Sequence, residues 1–129
     1  MNSNSGYSLT ILRVLIGILF LFTGVMKLIN PAGPTAMLTG LGFPVPQIFA
    51  WILLLSEIIF GILVLVGFKT KYTVWPLVII LIVATVLVAY KGTINNPMGW
   101  VNVLFHLIGI AALYVIFVEG PGALAISKE

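Results

Sequence analysis

The chain has 129 residues, 61% of them hydrophobic and only 7% charged, with a mean hydropathy of +1.25 and a net charge of +3. An ordinary soluble domain is about a quarter charged, and a disordered chain combines low hydrophobicity with high charge, so the composition excludes both. A single integral membrane domain remains, and its scattered charges form no basic patch of the kind that grips nucleic acid.

Four apolar segments follow one another, each near the ~20 residues that a helix needs to cross a ~30 Å hydrocarbon core. They run over about 9–28, 47–68, 73–90 and 100–118. Backbone groups find no water in that core, so each span must be helical. The fold class expected is therefore all-α and integral to the membrane, a bundle of four transmembrane helices in one domain. The N-terminal stretch before Leu9 has no Lys or Arg, and no small-residue cleavage site follows the first run, which is expected to be a retained helix.

The connections differ. Residues 30–46 carry Pro31, Pro34, Gly40, Gly42, Pro44 and Pro46, and the middle, Thr35 to Leu41, is expected to form a short interfacial helix between helices one and two. Lys69-Thr70-Lys71 reads as a tight turn that makes helices two and three antiparallel neighbours. Pro76 is placed in the first turn of helix three, where a missing N–H costs little. Residues 91–97 form a polar connection, and the tail after Glu119 holds Gly120-Pro121-Gly122.

Lys69, Lys71 and Lys128 gather on one side with Arg13 near it, against Lys27 and Lys91 on the other. By the excess of Lys and Arg on cytoplasmic ends, both termini are expected in the cytoplasm, with the protein in the cell membrane. Trp51, Tyr72, Trp75, Tyr90 and Trp100 fall near helix ends, as interfacial anchors do. Lys27 is expected to snorkel to the headgroups.

Absent residue types bound the chemistry. With no cysteine and one histidine, His106, the chain by itself builds no disulfide, iron–sulfur cluster, copper–thiolate centre, bis-histidine haem or multi-histidine metal site. Any electron carrier is then a bound small molecule or belongs to a partner.

Arg13, Glu57 and His106 fall inside the spans. A charge at a helix centre costs roughly 2.5–3.5 kcal/mol on insertion scales, so these residues need partners. Arg13, Gly17, Phe20, Gly24 and Lys27 share one stripe of helix one. Glu57, Gly61 and Val64 share one on helix two, and Asn102, His106 and Leu113 one on helix four. The glycines suit close helix packing. Helix three, with Thr85 as its interior polar residue, is expected to be the most lipid-exposed. Arg13 is placed roughly 8 Å of helix rise from Glu57, within reach of an extended guanidinium. One reading is structural: an Arg13–Glu57 ion pair fixes the bundle, with Asn102 and His106 as hydrogen-bond glue. The other makes Glu57 and His106 proton donor and acceptor beside a lipid-soluble ligand such as a quinone, with Arg13, Asn102, Gly17 and Gly61 completing the cluster.

The same residues resemble a known family. Leu12-Arg13 with Gly17, Phe20, Gly24 and Lys27-Leu28 is similar to the opening helix of the DoxX-like family of small four-helix membrane proteins. Pro44 to Pro46, then Glu57, Gly61, Leu65 and Gly67, follow its second helix. Asn102 and His106 sit where it carries polar residues in its last helix, and Gly120-Pro121-Gly122 and Ser127 resemble its ending, with a departure at Lys128. The resemblance implies a membrane component associated with oxidoreductases, including quinone-linked sulfur oxidation.

The leading expectation is a quinone-associated oxidoreductase subunit with no covalent or metal cofactor of its own and quinone as the ligand. Its expected partners are the bilayer, other membrane or peripheral redox subunits, and as one option further copies of itself. The alternatives are a non-catalytic scaffold or assembly subunit, and a small proton-coupled exporter using Glu57.

Overall fold

The computed structural model of the chain describes residues 3–86, 94 and 96–126, with side chains from residue 6 onward. Five helices are present among them: α1 Ser3–Ile29, α2 Ala32–Gly40, α3 Pro46–Val66, α4 Thr70–Ala84 and α5 Gly99–Glu119. Three stretches, Gly6–Ile29, Pro46–Val66 and Gly99–Glu119, are long and apolar enough to cross a membrane. Helix α4, at 15 residues, rises roughly 22 Å at 1.5 Å per residue, less than a ~30 Å core. Residues 87–90 of the expected third span, like Lys91, Ser127 and Lys128, lie outside the described residues.

Helix α3 begins on Pro46, whose missing N–H would be unpaired there in any case. It ends in a Schellman motif: Gly67 adopts φ 76°, its N–H bonds to Val64 O at 3.0 Å, and Phe68 N–H bonds to Leu63 O at 2.8 Å. The turn is thus Gly67 to Lys69, earlier than the residues 69–71 expected. Lys69, itself left-handed, accepts at its carbonyl from Tyr72 and Thr73, and α4 starts at Thr70. That early start places Pro76 inside α4 and not in its first turn.

A short helix does occupy the 30–46 connection, over Ala32–Gly40 and not Thr35–Leu41. It begins earlier because the Pro31 carbonyl accepts from the Thr35 backbone N–H at 3.2 Å and from the Thr35 hydroxyl at 2.8 Å. It packs on α3.

The bundle is two antiparallel pairs, α1 on α3 and α4 on α5, joined through α3 with α4 and α1 with α5. The core draws Ile16 and Phe20 from α1, Val64 from α3, Val74, Leu77, Val78 and Leu81 from α4, and Ala112, Leu113 and Ile116 from α5. Helix α4 is therefore not the most lipid-exposed element, for its Thr70 and Thr73 are buried along with that apolar set. The outward faces carry Ile11, Leu15, Phe22, Ile59, Phe105 and Ile108, all exposed. A large apolar residue set facing outward on several helices is the surface of a protein dissolved in lipid.

Glycine lets the α1–α3 seam close to near backbone contact. A Cβ on Gly17 would stand 2.8 Å from Leu65 Cα, and one on Gly61 would stand 3.0 Å from Leu21 N. Both obstacles are backbone, which no rotamer change relieves. Gly17→Val should cost about 1–3 kcal/mol or more through overpacking, read as a lower thermal unfolding midpoint in detergent. Gly40→Ala, where nothing lies within 4 Å, should leave the midpoint nearly unchanged.

Candidate functional site

The antiparallel seam sets which polar residues meet. Gly17 faces Leu65 and Gly24 faces Glu57 and Ile58, so Arg13 lies eleven residues, roughly 16 Å of helix rise, from the level of Glu57. The expected Arg13–Glu57 pair is not formed. The Cα–Cβ bonds of a helix tilt toward its N-terminus, which carries Lys27 back over Thr23 and Gly24 to Glu57 and carries Arg13 away from it.

Lys27 Nζ lies 2.7 Å from Glu57 Oε1 and 2.8 Å from Oε2. The Thr23 hydroxyl stands 3.2 Å from Glu57 Oε2 and 3.0 Å from the Phe20 carbonyl, and its one proton serves either. Glu57 is buried, its side chain 5% exposed, while that of Lys27 is 27% exposed. Lys27 therefore does not snorkel: a carboxylate desolvated by the seam holds the ammonium.

The pair lies at the wall of a cavity of about 400 Å³. Its lining is mostly apolar, with Met37, Leu38, Phe43, Phe49, Ile52, Leu53, Ile79, Ile80 and Val83 among the contributors. Its polar groups come from Lys27, Ser56, Glu57 and His106. Concave, apolar sites with a few convergent polar groups and volumes of roughly 300–1,000 Å³ are the usual form of small-molecule pockets. Each main helix supplies part of the wall, as do α2 and the following Leu41 and Phe43.

His106 is half-buried, and its Nδ1 lies 2.6 Å from the carbonyl oxygen of Asn102. Asn102 itself is exposed and does not line the cavity. Its expected role as side-chain glue is not seen, since only its backbone carbonyl is used, one turn from the imidazole.

Arg13, 2% exposed, builds a second polar centre at the opposite end of the seam. Its guanidinium donates to backbone carbonyls alone: Nε to Leu65 O at 3.2 Å, Nη1 to Pro121 O and to Ala123 O at 3.3 Å, and Nη2 to Leu124 O at 3.1 Å. A buried arginine in an apolar bundle is commonly neutralised by carboxylates or by carbonyl dipoles, and here the C-terminal tail supplies the dipoles. The tail is further tied by Ala123 N–H to Gly6 O and Ile126 N–H to Val66 O, both 3.0 Å, and by the Thr10 hydroxyl on Ala123 O. Gly122, at φ 80°, lets the tail turn where a Cβ would lie 2.5 Å from Gly6 O.

Of the residues singled out from sequence, the cavity brings together Glu57 and His106. Arg13 belongs to the tail, and Gly17 and Gly61 belong to the seam. Lys27 and Ser56 join Glu57 and His106 on the wall, and Thr23 contacts Glu57 from outside the lining. Thr23 and Lys27 are four residues apart on one helix face, a signal present in the sequence and outweighed there by the nearness of Lys27 to the helix end.

Two outcomes follow. Lys27→Met leaves the Glu57 carboxylate without its cation, a loss that costs roughly 3–5 kcal/mol in buried pairs and should fall at the lower end here because Lys27 is partly exposed. The double variant Lys27→Met/Glu57→Leu should recover most of the thermal stability in detergent. Arg13→Ala should free the tail. Hydrogen bonds to charged donors are worth about 1.5–3 kcal/mol each, so hydrogen exchange at the Ala123 and Ile126 amides should quicken more than ~10-fold.

Among known proteins, the DoxX family model matches residues 8–90 of this chain, from the first turns of α1 through α4. No curated protein and no solved structure matches it.

Proposed function

The chain belongs to the DoxX family, and from that premise we propose that it is the quinone-binding membrane subunit of an oxidoreductase, with its redox metals, if the complex uses any, carried by partner subunits. The observation that carries this reading is the cavity of about 400 Å³ with an apolar wall and the Lys27–Glu57 pair, Ser56 and His106 as its polar groups. A bound quinone would supply a two-electron, two-proton couple. The donor set fits such a ring. The Lys27 ammonium has three N–H donors, of which the two Glu57 oxygens take two, leaving one for a head oxygen. Glu57 holds the ammonium in place and neutralises it. His106 offers an imidazole nitrogen as a hydrogen-bond partner, and the apolar wall excludes water and accommodates a prenyl chain.

In the bilayer we place four crossings, by α1, α3, the segment beginning with α4, and α5, with α2 at the membrane surface. Both termini are then cytoplasmic by the distribution of Lys and Arg, and the cavity lies in the outer half of the bundle, away from the tail.

A scaffold role is the second reading, favoured by one observation: Glu57 is already satisfied within the chain by Lys27 and Thr23. The same pairing disfavours a proton-coupled exporter, because both carboxylate oxygens of Glu57 already have partners within the chain.

Purification of the full chain in mild detergent, followed by lipid extraction, separates the first two readings. Near-stoichiometric quinone is expected with the native protein and a several-fold loss with Ala84→Phe, which fills the cavity wall. Phospholipid alone in the native preparation would transfer the assignment to the scaffold.

A further inference from the structure

We propose that the cavity discriminates between the redox forms of its ligand and prefers the hydroquinone over the quinone, with His106 as the residue that makes the distinction. The inference rests on the quinone reading of the cavity and adds to it which form is bound and why.

His106 Nδ1 lies 2.6 Å from the Asn102 carbonyl oxygen. A carbonyl oxygen only accepts, so Nδ1 is the nitrogen that carries the proton. In the neutral ring Nε2 is then a bare acceptor. The tautomer is set by the helix itself, since residue 102 stands one turn before residue 106 and no ligand is needed to hold it. No described residue donates to the other ring nitrogen, and His106 forms part of the cavity wall.

The other polar groups of the wall have different needs. Lys27 has one N–H beyond those given to Glu57 and can only donate. Ser56, whose hydroxyl has no partner among the described residues, can donate or accept. A ligand that satisfies the wall must therefore offer an oxygen acceptor to Lys27 and an O–H donor to His106. A quinone offers acceptors only and leaves Nε2 unpaired. A hydroquinone offers both, on rings of nearly equal size, so shape alone does not separate the two forms. An acceptor that a bound ring shields from water and leaves unpaired weakens binding. For a half-buried imidazole this corresponds to a preference of roughly tenfold in dissociation constant.

The test uses the full chain in detergent, under anaerobic conditions, titrated calorimetrically with three probes: a short-chain benzoquinone, its hydroquinone, and the dimethyl ether of that hydroquinone. The ether keeps the ring and loses the O–H. The hydroquinone is expected to bind about tenfold tighter than either other probe. In His106→Phe the three affinities should converge while binding persists. Equal affinities in the native protein, tighter binding of the quinone, or a preference that survives His106→Phe would overturn the inference and leave the quinone reading standing. Binding of none of the probes would remove both. A second readout needs no variant. The chain has one histidine, so selective nitrogen-15 labelling gives only the two His106 ring signals. In the neutral ring the proton should sit on Nδ1, and the Nε2 signal should move toward a hydrogen-bonded shift with hydroquinone alone. A neutral ring carrying its proton on Nε2 in the free protein would overturn the inference directly.

Discussion

A carboxylate in an apolar bundle persists only beside a cation, and the Lys27–Glu57 pair is the contact on which the rest of this molecule turns. Burying Glu57 without Lys27 would leave a charge whose cost exceeds what most single packing contacts return. The pair forms because glycines at 17, 24 and 61 let α1 and α3 close to near backbone contact. That closeness fixes an antiparallel register with residue 24 opposite residue 57. The seam and the ion pair therefore depend on each other: the glycines bring the charges to one level, and the charges oppose any slip of the register.

From that register the molecule acquires two ends with different chemistry. At one end, the ammonium, the carboxylate, Ser56 and the imidazole edge an apolar cavity, a set of donors and acceptors that a small ring can complete. At the other, Arg13 spends its donors on carbonyls of Leu65 and of the tail. Because carbonyls and not side chains receive it, the latch depends on the path of the tail more than on its side chains. Glycines at 67 and 122, both at positive φ, make that path possible.

Much of this was legible in the amino-acid sequence, for reasons that differ by feature. Composition and continuous apolar runs of ~20 residues revealed an all-helical membrane protein, because lipid admits only helices and closed barrels and runs of that length fit the helix. The glycines at 17 and 24 on one helix and 61 on the next followed from helical spacing, and the buried status of Arg13 and Glu57 from the cost of charge in hydrocarbon. The partner assignment did not follow, because it depends on register, which short-range spacing does not encode. Counting from helix midpoints placed Arg13 near Glu57, whereas α1 extends from Ser3 and shifts the level of every residue on it. The N-terminal tilt of helix side chains then decided both cations, turning Lys27 inward and Arg13 toward the tail. Pro76 and Asn102 show the same limit: their roles hinge on where a helix begins and on which atom of a residue is used.

The most direct measurement of this charge partition is a nitrogen–carbon distance experiment by solid-state nuclear magnetic resonance on the full chain in lipid bilayers. The chain has one arginine, so its guanidinium signal needs no assignment. Strong dipolar coupling is expected between Lys27 Nζ and the Glu57 carboxyl carbon, with the Arg13 nitrogens coupled to tail carbonyls and not to Glu57. Coupling of the Arg13 guanidinium to the Glu57 carboxyl carbon, with Lys27 Nζ uncoupled from it, would contradict the account.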